Sequence, residues 1–420
     1  MIQFNDDFLR EFYAGDVDRD NRRYFEFHRR RYEETLATLE RLRPPAAGAP
    51  PRVLDVGGYP GHLAFAARRL GWQVEIVTES LEGFAPYEAF RRACDRHGLA
   101  VETLDAERDF FPYEGSQFDA VLFTEVLEHL AHNPFHTLGE ICRVLRPDGA
   151  LVLTTPNLAG AAHLEALWRQ QPIFAPLTSP WAETFPTVPS KRHFREYTAP
   201  EVRWLLADQN KDPYRFDRVE VRFSDCWREA EAPAGAAGWV AGLLRRLSSR
   251  WQGNIFATAR KPPNLFLIRG DETVLLDGWY DAEPYCPAVN MPAEAPYPLR
   301  WMAGRAELRL PIPPAARERL VGRRVRITLP LRNPVPAELV PVRSLKMSLA
   351  ESSDEGRPQP VAHSPDMTPI GESFSIEKLI SHLHLVLSCE TFCPDEYLKN
   401  GDRRSLGVQL IQSRIRIEIE

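Results

Sequence analysis

"RVLDVGGYPGHLA", residues 52–64, is the stretch whose reading decides the fold. Val53, Leu54 and Val56 make a short apolar strand that carries Asp55 and runs into Gly57, Gly58 and Gly61. A helical run, "GHLAFAARRLG", follows and stops at Gly71. Glycines let the backbone turn sharply and let a ligand come close. The free amides at a helix N-terminus favour an anionic group such as a carboxylate. Taken alone, the turn is equally compatible with a plain strand–helix connection, so the flanking segments have to decide.

Downstream, strands and helices alternate. "QVEIVTES" is a strand that ends at Glu79, where an acid can accept hydrogen bonds from both hydroxyls of a ribose. "AFRRACDRHG" is a helix closed by Gly98. "LDAE" (104–107) follows a third short strand and offers Asp105 to an adenine amine. "FDAVLFT" is the fourth strand and "ALVLTTPN" the fifth. Between them "NPFHTLGEICRVLRPDG" reads as a helix with Asn133 as N-cap, Pro134 at N1 and a glycine stop. Such alternation implies a parallel sheet with helices on both faces. Upstream, "YFEFHRRRYEETLATLERL" puts Phe25, Tyr32, Leu36 and Leu39 roughly on one helical face, with "HRRRYEE" as a solvated side. "RPPAAGAPP" (43–51) separates that helical region from the first strand.

Directly after the fourth strand comes "TEVLEHL", 124–130. On a helix, Glu125, Glu128 and His129 share one face, converging just past a strand end. "SKRHFREYT" (190–198) adds His193. An alcohol is a poor nucleophile at neutral pH, and a bound cation lowers the pKa of a hydroxyl it coordinates. Two carboxylates with two imidazoles suit Mn²⁺, Fe²⁺ or Zn²⁺ better than Mg²⁺. Without a metal, His129 or His193 can serve as general base. His132 and His136 flank Asn133-Pro134 and are expected in a turn. Arg195 and Glu196 read as a surface pair. The loop after the fifth strand carries Trp168, Phe174, Trp181 and Phe185, placed either to cover a substrate or to pack the loop down.

The series of strand, glycine turn, ribose acid, "LDAE", "FDAVLFTEVLEHL" and "VLRPDGALVLTTPN" resembles the class I S-adenosylmethionine-dependent methyltransferases over about residues 50–262. The resemblance implies an α/β, Rossmann-like sheet of seven strands with the last antiparallel. It places Asp55, Gly57, Gly58, Tyr59, Gly61, Glu79, Asp105, Ala106 and Thr124 around S-adenosylmethionine. One departure stands out: Tyr59 and Pro60 occupy positions where the family usually has glycine and a small residue, so an aromatic ring is expected at the methionine end. The G-x-G-x-x-G spacing of nicotinamide dehydrogenases is missing. "EVLEH" with a later histidine is similar to the small-RNA terminal 2′-O-methyltransferases and to quinone-pathway O-methyltransferases. That resemblance implies a divalent ion held by Glu125, Glu128, His129 and His193, with Glu125, His129 and His193 catalytic.

Near "ARKPPN" (259–264) the pattern changes to short strand candidates among prolines, from "LFLIRG" to "SRIRIEIE", with "SIEKLISHL" as a rare helical pattern. That is the signature of an all-β sandwich. The expected organisation is a helical extension over 1–50, a methyltransferase domain over 51–262 and a β-sandwich over 263–420. Gly278, Trp279, Tyr280, Arg300, Trp301, Asp402, Arg404, Leu406 and Gly407 resemble the sandwich segments attached to enzymes of bacterial surface-polysaccharide synthesis. The resemblance implies a glycan, glycolipid or nucleotide-sugar acceptor. Trp279, Tyr280 and Trp301 would then be a sugar-stacking platform or simply core aromatics. "GWVAGLLRRLSSRW" (238–251) is amphipathic, with Arg245, Arg246 and Arg250 on the polar side; it is expected to pack on the sheet, with a subunit contact and an anionic membrane surface as the other readings.

Composition narrows the classes. A net charge of −6 over 420 residues gives no global pull toward nucleic acid. No apolar run is long enough to span a bilayer, and the acidic start lacks a secretory h-region. Six scattered cysteines read as reduced thiols, none of them a ligand. The expected setting is cytoplasmic; peripheral contact at the inner membrane face, through a lipid-linked substrate, is a further reading. Two rival readings remain open: methylation of a small metabolite or amine, and a non-catalytic glycan-binding scaffold.

Overall fold

The computed structural model describes residues 2–15, 17, 19–45, 48–82, 84–131, 134–173, 193–208, 214–226, 235–282, 299–332, 344–350, 359–360, 368–394, 396, 401–411 and 413–420. Asn133 and His132, and Phe174, Trp181 and Phe185 of the aromatic loop, lie outside them.

The chain opens with α1 (Asp6–Tyr13) and α2 (Arg19–Arg41). Then come β1 (Arg52–Val56), α3 (His62–Arg69), β2 (Gln73–Thr78), α4 (Ala85–His97), β3 (Ala100–Thr103) and β4 (Phe118–Thr124). After them follow α5 (Pro134–Val144), β5 (Leu145–Pro156), α6 (Ala161–Trp168), α7 (Ala199–Arg203), β6 (Asp217–Ser224), α8 (Gly235–Leu247) and β7 (Asn254–Arg260). The seven strands form one sheet in the order β3–β2–β1–β4–β5–β7–β6. β1 pairs in parallel with β2 and β4, β2 with β3, and β4 with β5. β7 runs antiparallel to both β5 and β6. This is the Rossmann-like sheet expected from the sequence.

Central parallel strands are buried on both faces and so read as nearly unbroken apolar runs, as Val53-Leu54 and Val121-Leu122-Phe123 do. Leu54, Val121 and Phe123 face a cluster built with α5, and Val53, Ala120 and Leu122 face one built with α1 to α4. Gly61 heads α3 with φ +86°, and a Cβ there would lie 2.8 Å from Phe12 and 2.9 Å from Phe90. Glycine is therefore required where the turn meets the aromatic layer.

Beyond β7 the chain forms two antiparallel sheets. One contains Leu299–Trp301, Gln409–Ile411, Arg323–Arg332, Arg414–Ile419 and β8 (Leu265–Arg269), with Thr368–Ile376 also paired to Arg323–Arg332. The other contains Gln359–Pro360, Ser344–Leu349, His382–Cys389, Arg305–Pro311 and Val274–Leu275. Both feed one apolar cluster that includes Leu308, Leu310, Val325, Ile327, Leu385 and Ile417. β8 shows why the two halves of the chain adhere. Phe266 and Ile268 join this cluster, while Leu265 and Leu267 join the one beneath the first sheet. Strand alternation sends successive side chains to opposite faces, so one strand serves two cores.

Two expectations change, and the aromatics left open between a sugar platform and a core take the core position. "SIEKLISHL" is not helical: Ser375 and Ile376 pair with Arg324 and Arg323, and His382 and Leu383 with Pro311 and Leu310. A helix does form among the described residues of this region, but at Pro314–Leu320. Trp301 is buried edge-on against Phe392 rather than presented to a sugar. The Trp279 indole donates to Glu307 O, and the Tyr280 hydroxyl to Ser405 O. Finally, α8 does not bury its apolar stripe: Ala241 is buried, but Trp239, Val240, Leu243 and Leu247 are exposed. Among the described residues, no helix is long and apolar enough to cross a membrane.

Candidate functional site

A cavity of about 780 Å³ opens at the carboxyl ends of the parallel strands. That is where open α/β sheets bind ligands, because strand order reverses there and loops diverge. One side is made by Gly57, Val77, Thr78, Glu79, Phe84, Leu104, Asp105 and Ala106. The other is made by Arg23, Tyr24, Phe27 and His28 of α2 together with Tyr59, Glu125, Glu128, His129 and His193.

Of the residues expected at the cofactor, Gly57, Tyr59, Glu79, Asp105 and Ala106 line the cavity, whereas Asp55, Gly58, Gly61 and Thr124 do not. Gly58 and Gly61 belong to the turn itself, Asp55 to β1 and Thr124 to the end of β4. A Cβ on Gly58 would sit 2.9 Å from the Asp55 carboxyl carbon, so the aspartate packs directly under the glycine. Burial pushes the Asp55 carboxyl up to about 7, and the Arg31 cation draws it partly back. The amides of Gly57 and Gly58 donate to Val77 O, and that of Gly61 to Gly58 O. The turn thus uses these donors internally rather than offering them to an anion. Tyr59 is directed into the aromatic layer, near Tyr87 and Phe90, with its hydroxyl donating to Asn21 Oδ1 at 3.2 Å. Asp105 Oδ1 accepts from the Glu107 amide.

"TEVLEHL" is not the helix its spacing implies. Glu125 takes a left-handed conformation, φ +56°, and only Leu127–His129 form a single 3₁₀ turn. The amide of Glu125 is held by Thr154 O, which bends the chain before a helix can start. Glu125 Oε1 accepts from Thr154 Oγ1 at 2.7 Å and from Asn254 Nδ2 at 3.0 Å. Glu125 is consequently tied to β5 and β7. Among the described residues, the cluster able to hold a metal is Glu128, His129 and His193, whose ligand atoms lie within 4.8 Å of one another, without Glu125.

Glu128 is buried, and Oε2 accepts from Thr155 Oγ1 at 2.9 Å. Burial raises its pKa well above the usual range, and Glu125 adds to the shift. Glu125 Oε2 and Glu128 Oε1 are both buried without a hydrogen-bond partner. The rings of His129 and His193 meet edge to face at 5.0 Å. His193 Nδ1 lies 2.8 Å from Glu196 Oε1, and His163 Nε2 lies 3.1 Å from Glu196 Oε2. A carboxylate on Nδ1 fixes the Nδ1–H tautomer and leaves the Nε2 lone pair available.

Two groups escaped the sequence reading. Glu196 is buried and orients His193, while Arg195 pairs instead with Glu201. The H-x-x-E spacing of His193 and Glu196 was the available signal. The "HRRRYEE" segment is not a solvated face, because His28, Arg31 and Tyr32 are buried. Burial opposes the Arg31 charge, but Glu125 and the Tyr24 and Tyr32 hydroxyls raise its pKa overall, so it serves as a fixed cation behind the acidic cluster. His28 is driven down to about 2 by burial, with Arg31 and His62 adding to the effect, so it is neutral. The signal was a polar stripe, Asn21, Tyr24, His28, Arg31, Thr35 and Thr38, at alternating three- and four-residue spacing.

Residues 25–212 match the family described as "Methyltransferase domain". The chain is 32% identical over 116 residues to a ubiquinone biosynthesis O-methyltransferase of Roseobacter denitrificans, covering 28% of this chain and 45% of that protein. It is 28% identical over 217 residues to one from Xanthomonas campestris pv. campestris, covering 50% of this chain and 76% of the relative. The chain thus spans less than half the length of the Roseobacter relative. A solved complex of the Haloferax volcanii Trm112 methyltransferase activator and a methyltransferase aligns with TM-score 0.40 and 19% identity, covering 60% of this chain and 98% of the other.

Proposed function

We propose that this chain, whose residues 25–212 match a methyltransferase domain, moves a methyl group from S-adenosylmethionine to a hydroxyl oxygen. The observation that carries this reading is one cavity that joins the glycine turn, Glu79 and Asp105 to the His193–Glu196 pair and Glu128. The names of the curated relatives support oxygen as the atom methylated. S-adenosylmethionine supplies an electrophilic sulfonium methyl, with Gly57, Glu79, Asp105 and Ala106 as its walls. What remains for the protein is to hold the acceptor oxygen and remove its proton.

Glu196 holds His193 with Nδ1 protonated, so Nε2 takes the hydroxyl proton, a step worth about 10²–10⁴-fold. The imidazolium so formed is stabilised by the same carboxylate. Tyr24, Phe27 and Tyr59 offer apolar walls to the acceptor's carbon frame. A sugar hydroxyl is the proposed acceptor, supported by the resemblance of the C-terminal region to segments of polysaccharide-synthesis enzymes.

A specific observation favours a divalent ion in the same place. The buried Glu128 Oε1 has no hydrogen-bond donor and sits beside two imidazoles, and buried polar atoms are almost always satisfied. Glu128, His129 and His193 would hold the ion, which supplies charge that lowers the pKa of a nearby hydroxyl. His193 Nε2 would then be a ligand and not the base, which leaves proton removal to another group.

Calorimetric titration with S-adenosylhomocysteine tests the cofactor pocket, and no binding would end the enzymatic reading in favour of a scaffold. Turnover in excess chelator separates the two roles of His193: full activity eliminates the ion and retains the base. Loss of activity restored by Mn²⁺ establishes the ion.

A further inference from the structure

The exposed apolar face formed by α6 and α8 has no part in the chemistry above. Leu164, Leu167 and Trp168 on α6 are exposed, at i, i+3 and i+4, so they form one stripe. Trp239, Val240, Leu243 and Leu247 on α8 form a second stripe, with Trp168 and Trp239 about three-quarters exposed. The two helices pack together, and Ala241 of α8 is buried. Seven large apolar side chains stay exposed on two packed helices, and exposed apolar patches of this kind are often functional.

Charge selects the occupant. Residues 235–251 contain Arg245, Arg246 and Arg250 and not one Asp or Glu. On α6, Glu165 is already paired with Arg169 at 2.7 Å. A second copy docked across a two-fold axis would bring a second set of the same arginines into one interface with no acid in this stretch to pair them, because such an interface buries the same patch on both subunits. An anionic bilayer meets both features: arginines reach the headgroups while Trp and Leu enter the boundary with the acyl chains.

Position ties this face to the site. Asn157, at the carboxyl end of β5, donates from Nδ2 to Arg250 O and Gln252 O, which anchors the chain after α8. His163 of α6 contacts Glu196, which holds His193. The two stripes therefore lie at the end of the sheet where the cavity opens.

We propose that α6 and α8 form a docking surface for an anionic lipid bilayer, with Trp168, Trp239, Leu243 and Leu247 inserting and Arg246 and Arg250 pairing with headgroups. Vesicle binding tests this independently of methyl transfer. The full chain is floated with vesicles of phosphatidylcholine alone and of phosphatidylcholine mixed with phosphatidylglycerol. The expected result is binding to the mixed vesicles that weakens with added salt. Arg246→Gln and Arg250→Gln should each cost about fivefold in affinity. Trp239→Ser with Leu247→Ser should abolish binding while leaving the thermal midpoint unchanged, since both residues are already exposed. No flotation with anionic vesicles at low salt overturns the proposal. So does binding that the Trp239→Ser, Leu247→Ser protein retains, or a dimer in sedimentation that this protein loses.

Discussion

Gly139→Ala lies in the interior of α5, where alanine normally stabilises a helix by about 1 kcal/mol relative to glycine. Here the sign should reverse. A Cβ at position 139 would fall 2.2 Å from Cζ and Nη2 of Arg414, a fully buried arginine on the last strand. The guanidinium lies flat on α5 because residue 139 has no side chain. It donates to His136 O at 3.1 Å and Phe135 O at 3.2 Å, and lies 3.6 Å from Glu140 Oε1. Glu140 would keep Arg143, so its charge would not be orphaned. Displacing Arg414 should therefore cost the charge-assisted bonds to two carbonyls, roughly 1.5–3 kcal/mol each, offset by the helix gain. A net loss of about 2–5 kcal/mol is expected. In an Arg414→Met background the clash disappears, and Gly139→Ala should be neutral or slightly stabilising. The assay is a urea-unfolding double-mutant cycle, read by midpoint and slope because two cores need not unfold together. Equal effects of Gly139→Ala in both backgrounds, or a more stable single variant, would refute the reasoning. The site should respond too. The Thr137 hydroxyl donates to Ala106 O, and His136 Nε2 lies 2.9 Å from Asp109 O, so the first turn of α5 holds the Asp105–Ala106 wall. S-adenosylhomocysteine affinity should fall several-fold in Gly139→Ala and recover in the double variant.

Glu196→Gln should lower turnover by about 10–100-fold with S-adenosylhomocysteine affinity unchanged, because it loosens a group that orients His193; unchanged turnover would make Glu196 purely structural. His193→Ala should abolish turnover and, where an ion binds, reduce calorimetric Mn²⁺ binding, while Glu125→Gln should leave Mn²⁺ affinity largely intact because Glu125 is outside the cluster. Asp55 gives a pH signature. Its folded pKa, raised to about 7, exceeds its unfolded value, so between about pH 4 and 7 the folded state holds a proton that the unfolded state has released. Stability should fall as pH rises through that window, by at most about 1.4 kcal/mol per unit. Asp55→Asn should flatten that slope in denaturation measured across the range, and an identical slope would show that Asp55 is not its source.

The first sheet was legible because its rules are local. Apolar runs such as "FDAVLF", a glycine turn after "VLDV" and helical spacing in "AFAARR" each specify an element, and right-handed parallel crossovers leave few ways to assemble them. The second half was legible only as strands. Which strands pair depends on contacts between residues far apart in the chain, and "SIEKLISHL" lost its helical periodicity to two ladders. At the site, the sequence supplied Glu128, His129 and His193 as chemistry, but not their company. Glu125 left the cluster because Thr154 and Asn254, from two other strands, bind its side chain. Arg31 and His28 entered the site because α2 packs on the sheet, a fact that no window around "HRRRYEE" contains. Burial likewise set the Glu128 and Asp55 shifts, since desolvation depends on neighbours brought in by folding. The sequence by itself thus determined the elements and the reactive groups, through periodicity and side-chain type. Only the tertiary structure decided which groups meet, which are dry and which apolar stripe is left uncovered, because those are properties of packing between distant segments.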